Sequence, residues 1–166
     1  SPADEKIRKN MDDAAPDSSL IFADSKNDSV PELASECEVI IGQAPVKYLQ
    51  KSEKLRFVQL CIAGTEPYLE PGILPENVYL TNATGAFGLA VSEHMLASLL
   101  CLYKKLHLYR DNMRNRSWID RGGVKTLNGA VVLVLGLGNI GSGFAKMVYD
   151  LGAYTIGVKR TAAEKP

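Results

Sequence analysis

Hydrophobic positions in this chain gather into short continuous runs instead of long alternations. Leu20-Ile21-Phe22-Ala23, Val39-Ile40-Ile41-Gly42, Arg56-Phe57-Val58-Gln59-Leu60 and Val78-Tyr79-Leu80-Thr81 are the first of them. Runs of this length between turn residues predict short strands buried in a parallel sheet. The segments between them, such as Pro45 to Lys51 and Thr65 to Leu74, read as helical or turn connections, and Pro71-Gly72 with Pro75 marks a surface loop. Strands alternating with helices predict a doubly wound α/β fold. Ser1-Pro2-Ala3-Asp4-Glu5 predicts a helix start, with Ser1 as the cap, Pro2 in the first helical position and acids facing the positive helix end.

The longest helical pattern runs from Val91 to about Arg114. Met95, Leu96, Leu99, Leu100, Leu102, Leu106 and Tyr109 form one broad apolar face, and Lys104, Lys105 and Arg110 suit its C-terminal end. Such a face fits a core helix or a subunit interface, and the two are compatible. Arg116 to Thr126 is polar and holds Gly122-Gly123, so it predicts a connection near a domain boundary.

A different pattern follows. Ala130-Val131-Val132-Leu133-Val134-Leu135 predicts a strand buried on both faces, running into Gly136-Leu137-Gly138-Asn139-Ile140-Gly141. Ser142 to Leu151 is helix-compatible and Tyr154-Thr155-Ile156-Gly157-Val158 predicts a second strand, which completes a βαβ unit. In this context the glycine spacing has a mechanical reading: Gly136 for the tight turn, Gly138 for approach of a pyrophosphate, Gly141 for close packing of helix on strand. Amides at the helix start, including those of Asn139 and Ile140, would then receive phosphate charge. The other reading is a glycine-rich turn without a ligand.

The end of the second strand bears on which nicotinamide cofactor fits. An NAD site places an acid about 20 residues beyond the glycines, to accept hydrogen bonds from the ribose 2′-hydroxyl. Here Lys159, Arg160 and Thr161 stand in that region, and no acid appears until Glu164. An ammonium, a guanidinium and a hydroxyl can bind a 2′-phosphate through charge-assisted hydrogen bonds. NADP(H) is therefore the expected preference with NAD(H) possible, unless these are merely solvated residues at a strand end.

Composition narrows the field. In 166 residues, 46% of them hydrophobic, one sizeable core or one domain plus part of another can be buried. Nineteen basic residues balance nineteen acidic ones, so no bulk field draws the chain to nucleic acid or an anionic membrane. Cys37, Cys61 and Cys101 are odd in number and widely spaced, unlike a metal site or a disulfide framework. The longest apolar stretches reach roughly half of the ~20 residues a membrane span needs, and no secretory signal opens the chain. A cytoplasmic protein with reduced thiols is the expectation.

With the glycine loop placed, Leu127-x-Gly129 followed by Val131 to Gly141 resembles the D-isomer-specific 2-hydroxyacid dehydrogenases. The segment from Ala86 through Ser92-Glu93-His94 to Ala97 is similar to that family's entry into its long inter-domain helix. Gln59-Leu60-Cys61-Ile62-Ala63-Gly64-Thr65 resembles the strand and loop that face its substrate. The resemblance implies a flavodoxin-like parallel-sheet substrate domain over residues 1–84, without its first strand. It implies an inter-domain helix and connection over 85–126, and over 127–166 the truncated start of a Rossmann NAD(P)-binding domain. It also implies hydride transfer between NAD(P)H and a small 2-oxo or 2-hydroxy acid, and a homodimer formed through helix 91–114. The backbone amides of Ala63 and Gly64 would hold the substrate carboxylate, as a glycine at a strand's carboxyl end can.

The family's catalytic arginine, acid and histidine fall beyond the equivalent of Pro166, so no catalytic residue is carried over and the fragment is expected to be inactive. His94 and His107 match neither the motif nor the spacing and read as satisfied structural histidines, and Glu93 reads as a first-turn partner of the helix dipole. A non-catalytic nucleotide-binding or regulatory module is the alternative function. Which 2-oxo acid is taken stays open, with hydroxypyruvate, glyoxylate, phosphoglycerate and branched 2-oxo acids all compatible.

Overall fold

The computed structural model describes residues 4–24, 30–50 and 52–161, in two compact units that divide between Thr84 and Gly85. The first unit is built on three short parallel strands, β1 (Val39–Ile41), β2 (Phe57–Gln59) and β3 (Tyr79–Thr81), in that spatial order. Helices α1 (Glu5–Ala14) and α2 (Val30–Glu36) precede the sheet, and single 3₁₀ turns at Val46–Tyr48 and Glu66–Tyr68 lie in its connections. Register aligns Ile40, Val58 and Leu80 in one row, with Val58 wholly buried at its centre. Leu49, Leu55, Leu60, Ala34 and Tyr68 complete that core. Tyr68 donates its hydroxyl to the Ala44 carbonyl at 3.1 Å, and burial pushes its phenol above the usual value.

Two expectations for this unit change. Leu20–Ala23 is not a strand. An apolar run becomes one only where a neighbour completes the ladder, and the outer edge of β1 has no ladder partner among the described residues. Instead Phe22 lies under the guanidinium of Arg8, 4.5 Å from its ring centre. The cap of α1 is Asp4, whose carboxylate accepts the Ile7 amide at 2.8 Å. Ser1 and Pro2, expected to begin that helix, lie outside the described residues.

The second unit pairs β4 (Val131–Leu135) with β5 (Tyr154–Val158) in parallel, joined by α5 (Asn139–Asp150). Helix α3 (Gly88–Tyr103) packs on α5, and Leu96, Leu99, Leu100 and Tyr103 meet the buried Leu127, Val134, Phe144, Val148 and Ala153. This supports the core reading for those positions of the long helix, whereas Leu102 and Leu106 remain exposed. The expected burial of β4 on both faces is not observed. Val132 and Val134 face the core, but Val131, Leu133 and Leu135 are exposed, because α5 and α3 cover one face only.

The long helix is not continuous. It begins at Gly88 and ends at Tyr103, and α4 (Leu106–Arg114) restarts beyond Lys104 and Lys105. Lys105 takes a left-handed φ of 54°, which lets its amide and that of Lys104 satisfy the last carbonyls of α3 at Leu102 and Leu100. Its ammonium is held by the Arg121 carbonyl.

The connection beyond Arg116 is therefore pinned to α4. The buried Asn112 donates to the Ile119 carbonyl at 2.6 Å and accepts from the Arg121 guanidinium at 3.0 Å. Asp120 accepts the Gly122 amide at 2.8 Å.

Candidate dinucleotide and substrate sites

Strand β4 delivers the chain to Gly136, whose φ of 99° only glycine adopts without strain. The Gly136 amide donates to the Val158 carbonyl at 2.9 Å and so ties the turn to the end of β5. Gly138 caps α5 in extended geometry, and a Cβ built on it meets nothing within 4 Å. Gly141 is different: its Cβ would lie 1.9 Å from the Gly136 carbonyl oxygen and 3.4 Å from Val134 Cγ1. One glycine thus leaves room outside the turn, while the other lets the turn close on itself.

The first intrahelical bond of α5 runs from the Ser142 amide to the Gly138 carbonyl at 2.9 Å. Among the described residues, the amides of Asn139, Ile140 and Gly141 meet no acceptor, and no side chain caps them. Three free N–H groups at the positive end of a twelve-residue helix, beside open space, are donors of the kind that an anion such as a diphosphate requires. Of Asn139 only the backbone amide faces this opening as a free donor, since its side chain lies against α3, where a Cβ on Gly88 would fall 1.7 Å from its Oδ1. Gly157, a position the sequence reading did not single out, lets Leu137 fold over β5. A Cβ there would stand 2.3 Å from Leu137 Cδ1. The visible signal was a glycine interrupting an otherwise bulky strand.

Lys159, Arg160 and Thr161 are exposed just beyond β5, next in sequence to the carbonyl that holds Gly136. They make no hydrogen bond or ion pair among the described residues. The structure therefore brings the glycine turn and this basic strand end together at the carboxyl edge of one parallel pair, where ligands of open α/β sheets bind.

In the first unit, the loop after β2 is fastened through its carbonyl side. The Ala83 amide donates to Ile62 at 2.9 Å and the Asn82 side-chain amide donates to Ala63 at 2.8 Å. The Ala63 and Gly64 amides have no acceptor among the described residues. Asn82 was missed from sequence because its role depends on β3 running beside β2. One feature opposes an anion: a Cβ on Gly64 would lie 3.1 Å from Glu66 Oε2, so a carboxylate borders the loop.

His94 is exposed on α3 and makes no hydrogen bond among the described residues, and Nδ1 of His107 is buried without a partner among them, so neither is the satisfied structural histidine expected. With α3 beginning at Gly88, Glu93 also lies beyond the first turn. Cys37, Cys61 and Cys101 are free thiols, and no cluster of metal-ligating side chains occurs among the described residues. No described helix is long and apolar enough to cross a membrane.

Residues 96–166 match the family described as D-isomer specific 2-hydroxyacid dehydrogenase, NAD binding domain. Over that stretch the chain is similar to the NAD-binding domain of the D-isomer-specific 2-hydroxyacid dehydrogenases, and the structures and proteins it resembles over a longer span carry that family's names. A family member's crystal structure from Aeromonas salmonicida subsp. salmonicida is 29% identical, with a TM-score of 0.81 over 95% of this chain and 51% of that one. D-3-phosphoglycerate dehydrogenase of Sus scrofa is 26% identical over 149 residues, covering 85% of this chain and 28% of the enzyme. A D-lactate dehydrogenase from Aquifex aeolicus, solved with NAD and lactic acid, shares the fold at 19% identity, with a TM-score of 0.74 over 98% of this chain and 51% of its own. The chain thus spans about half or less of the length of these relatives.

Proposed function

We propose that residues 1–84 form the substrate-binding domain, that 85–126 form an inter-domain helix and connection, and that 127–166 open the Rossmann domain of a dehydrogenase. The whole protein would transfer hydride between a nicotinamide cofactor and a small 2-oxo or 2-hydroxy acid. The observation that carries this reading is the free amide row at Asn139–Gly141 beside the open Cβ side of Gly138. The nicotinamide supplies the hydride when bound. This chain's part is to hold the diphosphate at Gly136, Gly138, Asn139, Ile140 and Gly141 and to offer the Ala63 and Gly64 amides to the substrate carboxylate. The exposed apolar side chains of α3 and α4, Leu89, Leu102 and Leu106 among them, support a homodimer through these helices.

The whole protein is expected to oxidise reduced nicotinamide in the presence of at least one member of a panel of 2-oxo acids. Residues 1–166 alone are expected to show no turnover above a heat-treated control. General acid catalysis needs a group within hydrogen-bond reach of the carbonyl oxygen, and no side chain of this chain has been assigned that role. Steady reduction of glyoxylate or hydroxypyruvate by the 166-residue chain contradicts the second half of this reading.

Lys159, Arg160 and Thr161 support a preference for NADP(H). Their side chains are exposed and uncommitted, so a 2′-phosphate would meet no competing carboxylate in this segment. NADPH should bind more tightly than NADH, salt should narrow the gap, and Arg160→Ala should weaken NADPH roughly tenfold while changing NADH little. Fluorescence titration with both cofactors checks this, and equal or tighter binding of NADH overturns it.

A further inference from the structure

The seam between α3 and α5 shows how the diphosphate amides are held in place. Ser92 is wholly buried on α3. Its hydroxyl lies 2.8 Å from the Ile140 carbonyl, in the first turn of α5, and 2.7 Å from the Gly88 carbonyl one turn back in its own helix. A hydroxyl carries one proton, so it donates to one of these carbonyls at a time. Glycine makes the approach possible, because a Cβ on Gly143 would stand 2.7 Å from the Ser92 hydroxyl. Further along the same pair of helices the contact is apolar, Leu96, Leu99 and Leu100 against Phe144 and Val148. That packing would join the helices without a polar group, and a buried hydroxyl adds desolvation cost where apolar contact would not. The hydroxyl therefore contributes placement, at the turn whose amides are free.

We propose that Ser92 is a positioning residue for the cofactor diphosphate: its bond to the Ile140 carbonyl, in the space Gly143 leaves, fixes the first turn of α5. The Asn139 and Ile140 amides are then aimed before the ligand arrives, which removes part of the ordering cost of binding. This inference rests on the dinucleotide reading above.

The test is titration of the full chain with NADH and NADPH, with adenosine as a ligand lacking phosphate and with thermal unfolding followed in parallel. Ser92→Ala is expected to raise the Kd of whichever dinucleotide binds about fivefold and to leave adenosine unchanged. Gly143→Ala, which displaces the hydroxyl without touching the phosphate loop, is expected to weaken the dinucleotide similarly. The double variant should bind no worse than Ser92→Ala, because the added methyl then has no hydroxyl to displace. A structural role alone would lower the melting temperature and leave the affinities of folded protein unchanged. Unchanged dinucleotide affinity in Ser92→Ala, equal losses for adenosine, or simple additivity overturns the proposal. If the unsubstituted chain binds neither dinucleotide, the dinucleotide reading falls and takes this inference with it.

Discussion

Gly138→Val abolishes dinucleotide binding and leaves the second unit folded. The Cβ of residue 138 points into open space, and its backbone is extended with φ of −80°, so valine meets no atom within reach of its Cβ and no conformational strain. The fold loses only a favourable capping residue, about 1 kcal/mol or less. The ligand loses much more, because the new side chain occupies the space through which a diphosphate reaches the free amides of Asn139 and Ile140. Charge-assisted hydrogen bonds contribute about 1.5–3 kcal/mol each, so losing two of them raises Kd by at least about 100-fold. Titration of folded variant with NADH and NADPH measures this, and unchanged affinity would show that the loop is not the site.

Gly141→Ala gives the opposite pattern, with both fold and binding failing. Its Cβ would sit 1.9 Å from the Gly136 carbonyl oxygen, a backbone atom that cannot swing aside as a side-chain tip can. Either the turn opens or the start of α5 lifts from β4, and both disrupt the packing of Val134 against Phe144 and Val148. A loss of about 3 kcal/mol is expected. Denaturant unfolding measures the loss, and a midpoint matching that of the unsubstituted chain would contradict the packing role. Two glycines of one motif thus separate by experiment, one serving the ligand and the other the turn.

The strand, glycine turn and helix of the second unit were legible because their signals are local. A buried run, a left-handed turn and a helix start follow one another within a few residues, and each has its own residue requirement. The seam was not legible, since the contact of Ser92 with Ile140 spans forty-eight positions of sequence. The break at Lys105 escaped because neither glycine nor proline marks it, and the apolar spacing of Leu102 and Leu106 continues across it. Leu20–Ala23 was misread for a related reason. Apolar character shows that a segment can be buried, but a strand also needs a neighbour, and hydropathy carries no information about one. Likewise, the bond from Asn82 to the Ala63 carbonyl emerges only when β2 and β3 lie side by side.

We expect a dinucleotide's diphosphate to sit on the first turn of α5. Amide-resolved NMR of the isotope-labelled chain, titrated with NADH and with NADPH, reads those amides one by one. The largest shifts should fall on the amides of Gly138, Asn139, Ile140 and Gly141, with Lys159 to Thr161 responding more to NADPH than to NADH. Shifts concentrated elsewhere, with those four amides unmoved at saturation, would contradict it.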